Sequence, residues 1–230
     1  MKESIHMGIV IMGGTVTGKS TLAKILSIHT GYKLYEIGYI VKNSYFNIMK
    51  NEALKIYKNK ERAIESIRKT YKENSKDYFT NKRLKYVNDM VKKNGNDYFI
   101  TKLLKEHLNE NIIIVGARTF DEVNAIKKYM KNPFLVGLVC NEDRLTKRFV
   151  KREDRYMSSN NAEKIFEKRR WTEKKWGVEE VLDTCDIVIE TDDKKPRDIA
   201  NITLNEYRKF WIDKKRKLGE LKNERKRIIY

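Results

Sequence analysis

Nine consecutive residues near the N-terminus, Gly13-Gly14-Thr15-Val16-Thr17-Gly18-Lys19-Ser20-Thr21, constrain this chain more than any other stretch. They read Gly, four residues, then Gly-Lys-Ser. Glycines let a backbone wrap close to an anion, so that successive N–H groups can point at phosphate oxygens. Lys19 adds a positive charge for the outer phosphates, and the Ser20 hydroxyl can ligate Mg²⁺. The flanks suit the loop. Met7 to Met12 is a short apolar run fit for a buried strand. Thr21 to Ile28 has helical spacing of its apolar residues, and its helix would aim a positive dipole end at the bound phosphate. The stretch is expected to bind a nucleotide, with ATP and Mg²⁺ as cofactors. Gly13, Gly14, Thr15, Val16, Thr17, Gly18, Lys19, Ser20 and Thr21 are the expected contacts.

The rest of the chain alternates strands and helices. Lys33–Ile37, Ile112–Val115, Phe134–Cys140 and Asp186–Glu190 read as further strands. Between the second and third lie Asn59–Lys76 and Asn81–Lys93, basic amphipathic helices, the latter stopped at Asn94-Gly95, and then a helix from Tyr98 to Leu108. Residues 43–108 are therefore expected to form a helical insertion on the acceptor side. Thr119 and Glu122 form a capping box opening a helix that Asn132-Pro133 closes. Asn141-Glu142-Asp143 starts another, carrying Arg144 and Arg148 on one face. Residues 151–161 are a polar break, expected to be a lid, before a helix from Ala162 to Trp176 with Gly177 at its stop. Pro196 opens a last helix. Alternating strands and helices behind a phosphate loop predict a parallel α/β sheet covered on both faces. Residues 1–212 form that domain, and residues 213–230 a basic C-terminal tail.

Composition narrows the partners. The chain has 230 residues, enough for one domain with a modest insertion, and no apolar run approaches a membrane span. No charged-then-apolar leader precedes the first strand. Cys140 and Cys185 are isolated and the three histidines are scattered, without metal-ligand spacing, which suits a reducing cytoplasm. The formal net charge of +18 fits a nucleic-acid surface, a field that draws in anionic small molecules, or lysines spread over solvated helix faces. No RNA-binding aromatic motif accompanies it, so the expected partners are ATP and a small phosphorylated or nucleotide-like acceptor, with nucleic acid ranked below them.

Arginine suits phosphate clamping because its guanidinium is planar and permanently charged. Arg118 lies at the carboxyl end of a parallel strand, where α/β sheets bind ligands. Arg144, Arg148, Arg152 and Arg155 flank the polar break. Glu36, at the end of the second strand, and Asp97, before the acceptor-side helix, are the carboxylates available to support Mg²⁺ or the acceptor, and Glu36 ranks first because a strand's carboxyl end faces the ligand crevice.

The phosphate loop, Gly116-Ala117-Arg118-Thr119-Phe120-Asp121-Glu122-Val123, Arg144 to Arg152, and Glu173-Lys174-Lys175-Trp176-Gly177-Val178 together resemble the nucleoside-monophosphate-kinase-like P-loop kinases. The similarity runs toward their dephospho-CoA kinase-like and deoxynucleotide kinase-like group and covers most of residues 6–195. The resemblance implies a P-loop NTPase three-layer sandwich with five parallel strands ordered 2-3-1-4-5. It implies ATP on the loop, the acceptor under the helical insertion and lid arginines over the phosphates. It also implies transfer of the γ-phosphoryl group. The expected catalytic set is Lys19, Arg118, Arg152, Arg169 and, from its strand-end position, Glu36, with Arg144 and Arg148 on the cofactor and Ser20 on the metal. Four positions depart from the group's pattern. Val16 stands where a glycine is usual, and Tyr39, Val115 and Arg170 where aspartates are. An ATP-binding protein without turnover and a nucleic-acid-associated ATPase are the rival expectations.

Overall fold

The computed structural model describes residues 7–73, 76–107, 110–154 and 158–217. Arg155, the centre of the expected lid, the tail after Lys217 and the ends of two expected helices (residues 74–75 and 108) lie outside them. Five strands make one sheet: β1 (Gly8–Gly13), β2 (Lys33–Glu36), β3 (Ile112–Val115), β4 (Pro133–Val139) and β5 (Ile187–Glu190). Their order is β2-β3-β1-β4-β5 and every pairing is parallel, as the resemblance implied. Their carboxyl ends line one edge. Glu36 is in register with Val115, and Gly13 with Leu138.

Side chains of successive strand residues face opposite ways, and this alternation builds two cores. On one face Val10, Met12, Ile112, Ile114 and Leu135 pack against α5 (Tyr98–Glu106), α6 (Phe120–Tyr129) and α9 (Val178–Leu182). On the other, Ile9, Ile11, Ile113, Val115 and Val136 pack against α1 (Lys19–Thr30) and α10 (Pro196–Lys217). Central strands buried on both faces must be apolar throughout, which is why Ile112 to Val115 could be read to the residue.

Two smaller apolar clusters stand off the sheet. Ala53 from α2 (Ile37–Tyr57) meets Ala63 and Ile67 from α3 (Lys60–Glu73). α4 (Lys76–Asn94) completes that helical arm and ends at Gly95, whose φ of 99° is left-handed. The second cluster joins α7 (Glu142–Glu153) to α8 (Ser159–Lys175) through Leu145, Phe149, Ala162 and Phe166, with Val16 of the phosphate loop packed against it.

Several boundaries differ from the sequence expectation. The second strand stops at Glu36, which α2 follows directly, so the helical run starts at Ile37 rather than residue 43. α5 packs into the sheet's own core through Ile100, Leu103 and Leu104, and its Phe99 also meets Tyr86 of α4. α7 extends through Glu153 and α8 starts at Ser159, so Asp154 and Ser158 are the described residues of the polar break outside helices. Among the described residues no helix is long and apolar enough to cross a membrane.

Candidate active site

The loop between β1 and α1 lies at the carboxyl edge of the central strand. Gly13 is required there: its φ is 131°, and a Cβ would stand 2.3 Å from the Leu138 carbonyl oxygen on β4. Gly18, at φ 100°, makes the turn into α1. Val16 is also left-handed, at φ 58°. A β-branched residue pays about 1–3 kcal/mol for that conformation, offset here by its packing on the α7–α8 cluster. The loop is internally braced. Thr17 Oγ1 donates to the Gly14 carbonyl at 3.0 Å, and the Lys19 ammonium is folded back to donate to the same carbonyl. Ser20 and Thr21 are exposed in the first turn of α1.

Arg118 and Arg152 lie within electrostatic reach of Lys19, and Arg169 lies within reach of both arginines. Arg118 follows Gly116, whose left-handed φ of 97° turns the chain at the end of β3. Thr119 and Glu122 then form the expected capping box. The buried Glu122 carboxylate accepts from the Arg118 and Thr119 N–H groups at 2.6 and 3.2 Å. The Arg118 guanidinium lies 5.3 Å from the Trp176 ring centroid. Arg152 and Arg169 approach the buried ring of Phe149 at 4.8 and 5.0 Å. Arg152 also bonds Glu153 at 3.1 Å. Arg118 and Arg169 have no carboxylate within ion-pair distance among the described residues.

The electrostatic consequence falls on Lys19. Burial, then the Arg118 charge, pull its pKa down from 10.5 to about 8, with Arg152 acting the same way and Glu173 and Glu36 opposing. Arg169 is also held below its ordinary value, by burial first and then by Arg152. Burial disfavours the charged form of both groups, and the neighbouring arginines add to it. Glu36 sits half-buried at the end of β2, within electrostatic reach of Lys19.

Arg144 and Arg148 are placed differently from the other arginines. Arg148 donates to the Thr191 carbonyl at 2.8 Å and to Thr191 Oγ1 at 3.2 Å, while Arg144 bonds the Asp192 carbonyl and the Asp193 carboxylate. They therefore tie α7 to the segment following β5. With Lys147 they line an open cavity of about 360 Å³.

Two residues absent from the sequence-derived set prove central. The Glu173 carboxylate accepts from the Thr15 N–H at 2.9 and 3.1 Å and from Thr15 Oγ1 at 2.6 Å. Arg170, one helical turn away, contacts three carboxylates: Glu142 at 3.0 Å, Glu179 at 3.1 Å and Glu173 at 3.5 Å. Burial works against the Arg170 charge, but Glu142 and the other two carboxylates outweigh it and raise its pKa. The spacing of Arg169, Arg170 and Glu173 was visible in the sequence; that Glu173 reaches a loop 158 positions away was not.

The sheet order, the glycine-lined loop entering α1, and the cations gathered at the carboxyl edge define the P-loop NTPase fold. No family model matches the chain, and no curated protein matches its sequence. Solved structures do. The Thermus thermophilus protein TT1252 is 14% identical and has a TM-score of 0.52, over 95% of this chain and 100% of its own. Shikimate kinase from Aquifex aeolicus vf5 is 15% identical with a TM-score of 0.43, over 90% and 99%. A gluconokinase from Sinorhizobium meliloti 1021 is 14% identical with a TM-score of 0.44, over 85% and 87%. At these identities the likeness is one of fold.

Proposed function

We propose that the chain is an ATP-dependent phosphotransferase acting on a small nucleotide-like acceptor, of the nucleoside monophosphate or dephospho-CoA type. The observation that carries this reading is the gathering of Arg118 and Arg152 within electrostatic reach of Lys19 and of Arg169 within reach of both arginines, with Arg118 and Arg169 having no carboxylate partner among the described residues. Such a cluster is stabilised by a polyanion. Phosphoryl transfer asks the protein chiefly for positioning and charge neutralisation. Lys19 neutralises the outer phosphates; Arg152 and Arg169, on the α7–α8 hairpin, approach from the lid side. Arg118, backed by Trp176, grips an anionic group on the acceptor. The bond from the γ-phosphorus to its bridging oxygen breaks, a bond to an acceptor oxygen forms, and ADP leaves.

The donors present suit Mg²⁺, which is usually held by few protein oxygens and the phosphates themselves. Ser20, exposed beside Lys19, and Glu36, within electrostatic reach of the loop, are the groups that would hold it. When bound it would neutralise charge on the transferring phosphates. An acceptor that already carries a phosphate is largely ionised at neutral pH and needs no strong base. That suits Tyr39 and Val115, where the resembling kinases carry aspartates. Arg144 and Arg148 are assigned to ATP on the strength of the cavity they line.

The test is ADP release from ATP with a panel of nucleoside monophosphates, dephospho-CoA and small alcohols. Stimulation by one nucleotide-like acceptor is the expected result. Tight ATP binding with no acceptor stimulating release would leave a nucleotide-binding protein without turnover. Stimulation by DNA or RNA alone would make it a nucleic-acid-associated ATPase.

A further inference from the structure

The phosphate loop contains two kinds of N–H group. Those of Val16, Gly18, Lys19 and Ser20 have no protein acceptor among the described residues, as is normal for a loop entering a helix. That of Thr15 is different, because both oxygens of Glu173 accept from it and one also accepts from the Thr15 hydroxyl. The Glu173 side chain is 6% exposed, so this carboxylate is fixed against the loop and shielded from water. It is fixed from behind as well, by Arg170, whose guanidinium is itself held by Glu142 and Glu179.

The place of this carboxylate matters for the ligand. A Cβ on Gly14 would stand 3.2 Å from Glu173 Oε2, and the Lys19 ammonium donates to the Gly14 carbonyl. Glu173 therefore shares one corner of the loop with the lysine that reaches the β- and γ-phosphates. A diphosphate can take the open N–H groups at the start of α1. A third phosphate has to enter the corner where a negative charge already sits on the Thr15 donors, and like charges at short range in a shielded site repel strongly.

We infer that Glu173 is a specificity-determining residue: it stands in for a phosphate in the resting loop and makes the protein favour a nucleoside diphosphate over the triphosphate. The inference rests on the nucleotide-binding reading above. It also gives the α7–α8 hairpin a part in catalysis. Glu173 and Arg170 lie on α8, and Val16 packs into the apolar cluster between α7 and α8, so the hairpin is keyed to the loop at two points. Full engagement of the triphosphate requires that the hairpin shift and withdraw the carboxylate. The same shift carries Arg169 of α8 and Arg152 of α7 relative to the phosphates.

The test is a comparison of ADP and ATP dissociation constants for the full chain and for E173Q, each with Mg²⁺ and with a chelator. Gln keeps the shape and an acceptor for the Thr15 N–H but removes the charge. The wild-type protein should bind ADP about tenfold or more tightly than ATP, a difference of about 1.4 kcal/mol. In E173Q the two constants should converge, through tighter ATP binding. A ratio unchanged by the substitution, or both nucleotides weakened alike, overturns the inference and leaves Glu173 as a structural brace. Loss of ATP affinity in E173Q only when Mg²⁺ is present overturns it too, in favour of a metal-supporting role. If E173Q shows no cooperative melting transition, the wild-type protein decides alone: pyrophosphate should bind more tightly than tripolyphosphate, and the reverse order overturns the inference. Failure of both proteins to bind any nucleotide or polyphosphate removes the nucleotide-binding reading along with it.

Discussion

At the scale of single residues, the loop lysine combines two properties that can be tested together. Lys19 is held near pKa 8 by burial and by Arg118, so part of the free protein has it uncharged above that pH. Bound phosphate favours the charged form. ATP binding at pH 8.5 should therefore draw a fraction of a proton from the buffer, whereas at pH 6.5 Lys19 is already charged and uptake should be near zero. Titration calorimetry in buffers of different ionisation enthalpy measures this directly. Lys19→Ala should lose both the uptake and most of the ATP affinity while melting as the parent does; unchanged ATP binding would defeat the phosphate-loop reading. Glu36 is tested by turnover. Glu36→Gln should slow transfer at least tenfold, about 1.4 kcal/mol in barrier, with ATP affinity largely kept. A parental rate in that variant would remove Glu36 from the mechanism.

At the scale of elements, the α7–α8 hairpin has a core of its own. Phe149 and Phe166 are buried with ring centroids 5.2 Å apart, and Val16 closes the cluster from the loop. Truncating a buried aromatic costs about 3–5 kcal/mol. Phe166→Ala should lower thermal stability accordingly and weaken ATP binding as well, because it removes the partner that offsets the left-handed backbone of Val16. If melting falls but ATP affinity does not move, the hairpin and the loop are not coupled. α6 gives the contrasting case. Its capping box was legible as Thr119 and Glu122 three residues apart, because the motif is purely local. α2 was not legible. It follows Glu36 with no turn between, Glu36 makes no side-chain cap, and only Ile37 and Ala53 along its length are buried. Without a cap, a breaker or a strong apolar stripe there was no signal to read.

At the scale of the whole molecule, the net charge of +18 is not spread evenly in its consequences. Lys19, Arg118, Arg152 and Arg169 meet at one edge of the sheet, while the lysines that end α10 are solvated. α10 packs on the sheet through Ile199, Ala200 and Tyr207, with Phe210 and Trp211 partly buried beside them, and the basic segment follows these contacts. Removing residues 213–230 should therefore leave acceptor turnover and the melting temperature nearly unchanged. Nucleic-acid binding that survives physiological salt and disappears on this truncation would overturn that expectation, since nonspecific phosphate contacts weaken steeply with salt.

Features with a local cause are legible in the order of the residues. The glycines and Lys19 specify a phosphate loop through the backbone conformations they allow. Ile112 to Val115 suits a doubly buried strand because four consecutive β-branched residues favour extended backbone. The alternation of such runs with helices implies a parallel sheet, and the resemblance supplied its order. Which charges meet depends on the fold. Arg144 and Arg148 were read with the other arginines from their helical spacing; the fold adds hydrogen bonds from both to the chain following β5. Glu173 and Thr15 are far apart in the chain and adjacent in space because α8 folds back across the loop. Coulomb energy depends on distance through the folded molecule and on the water that burial excludes, and neither quantity is written in the order of the residues.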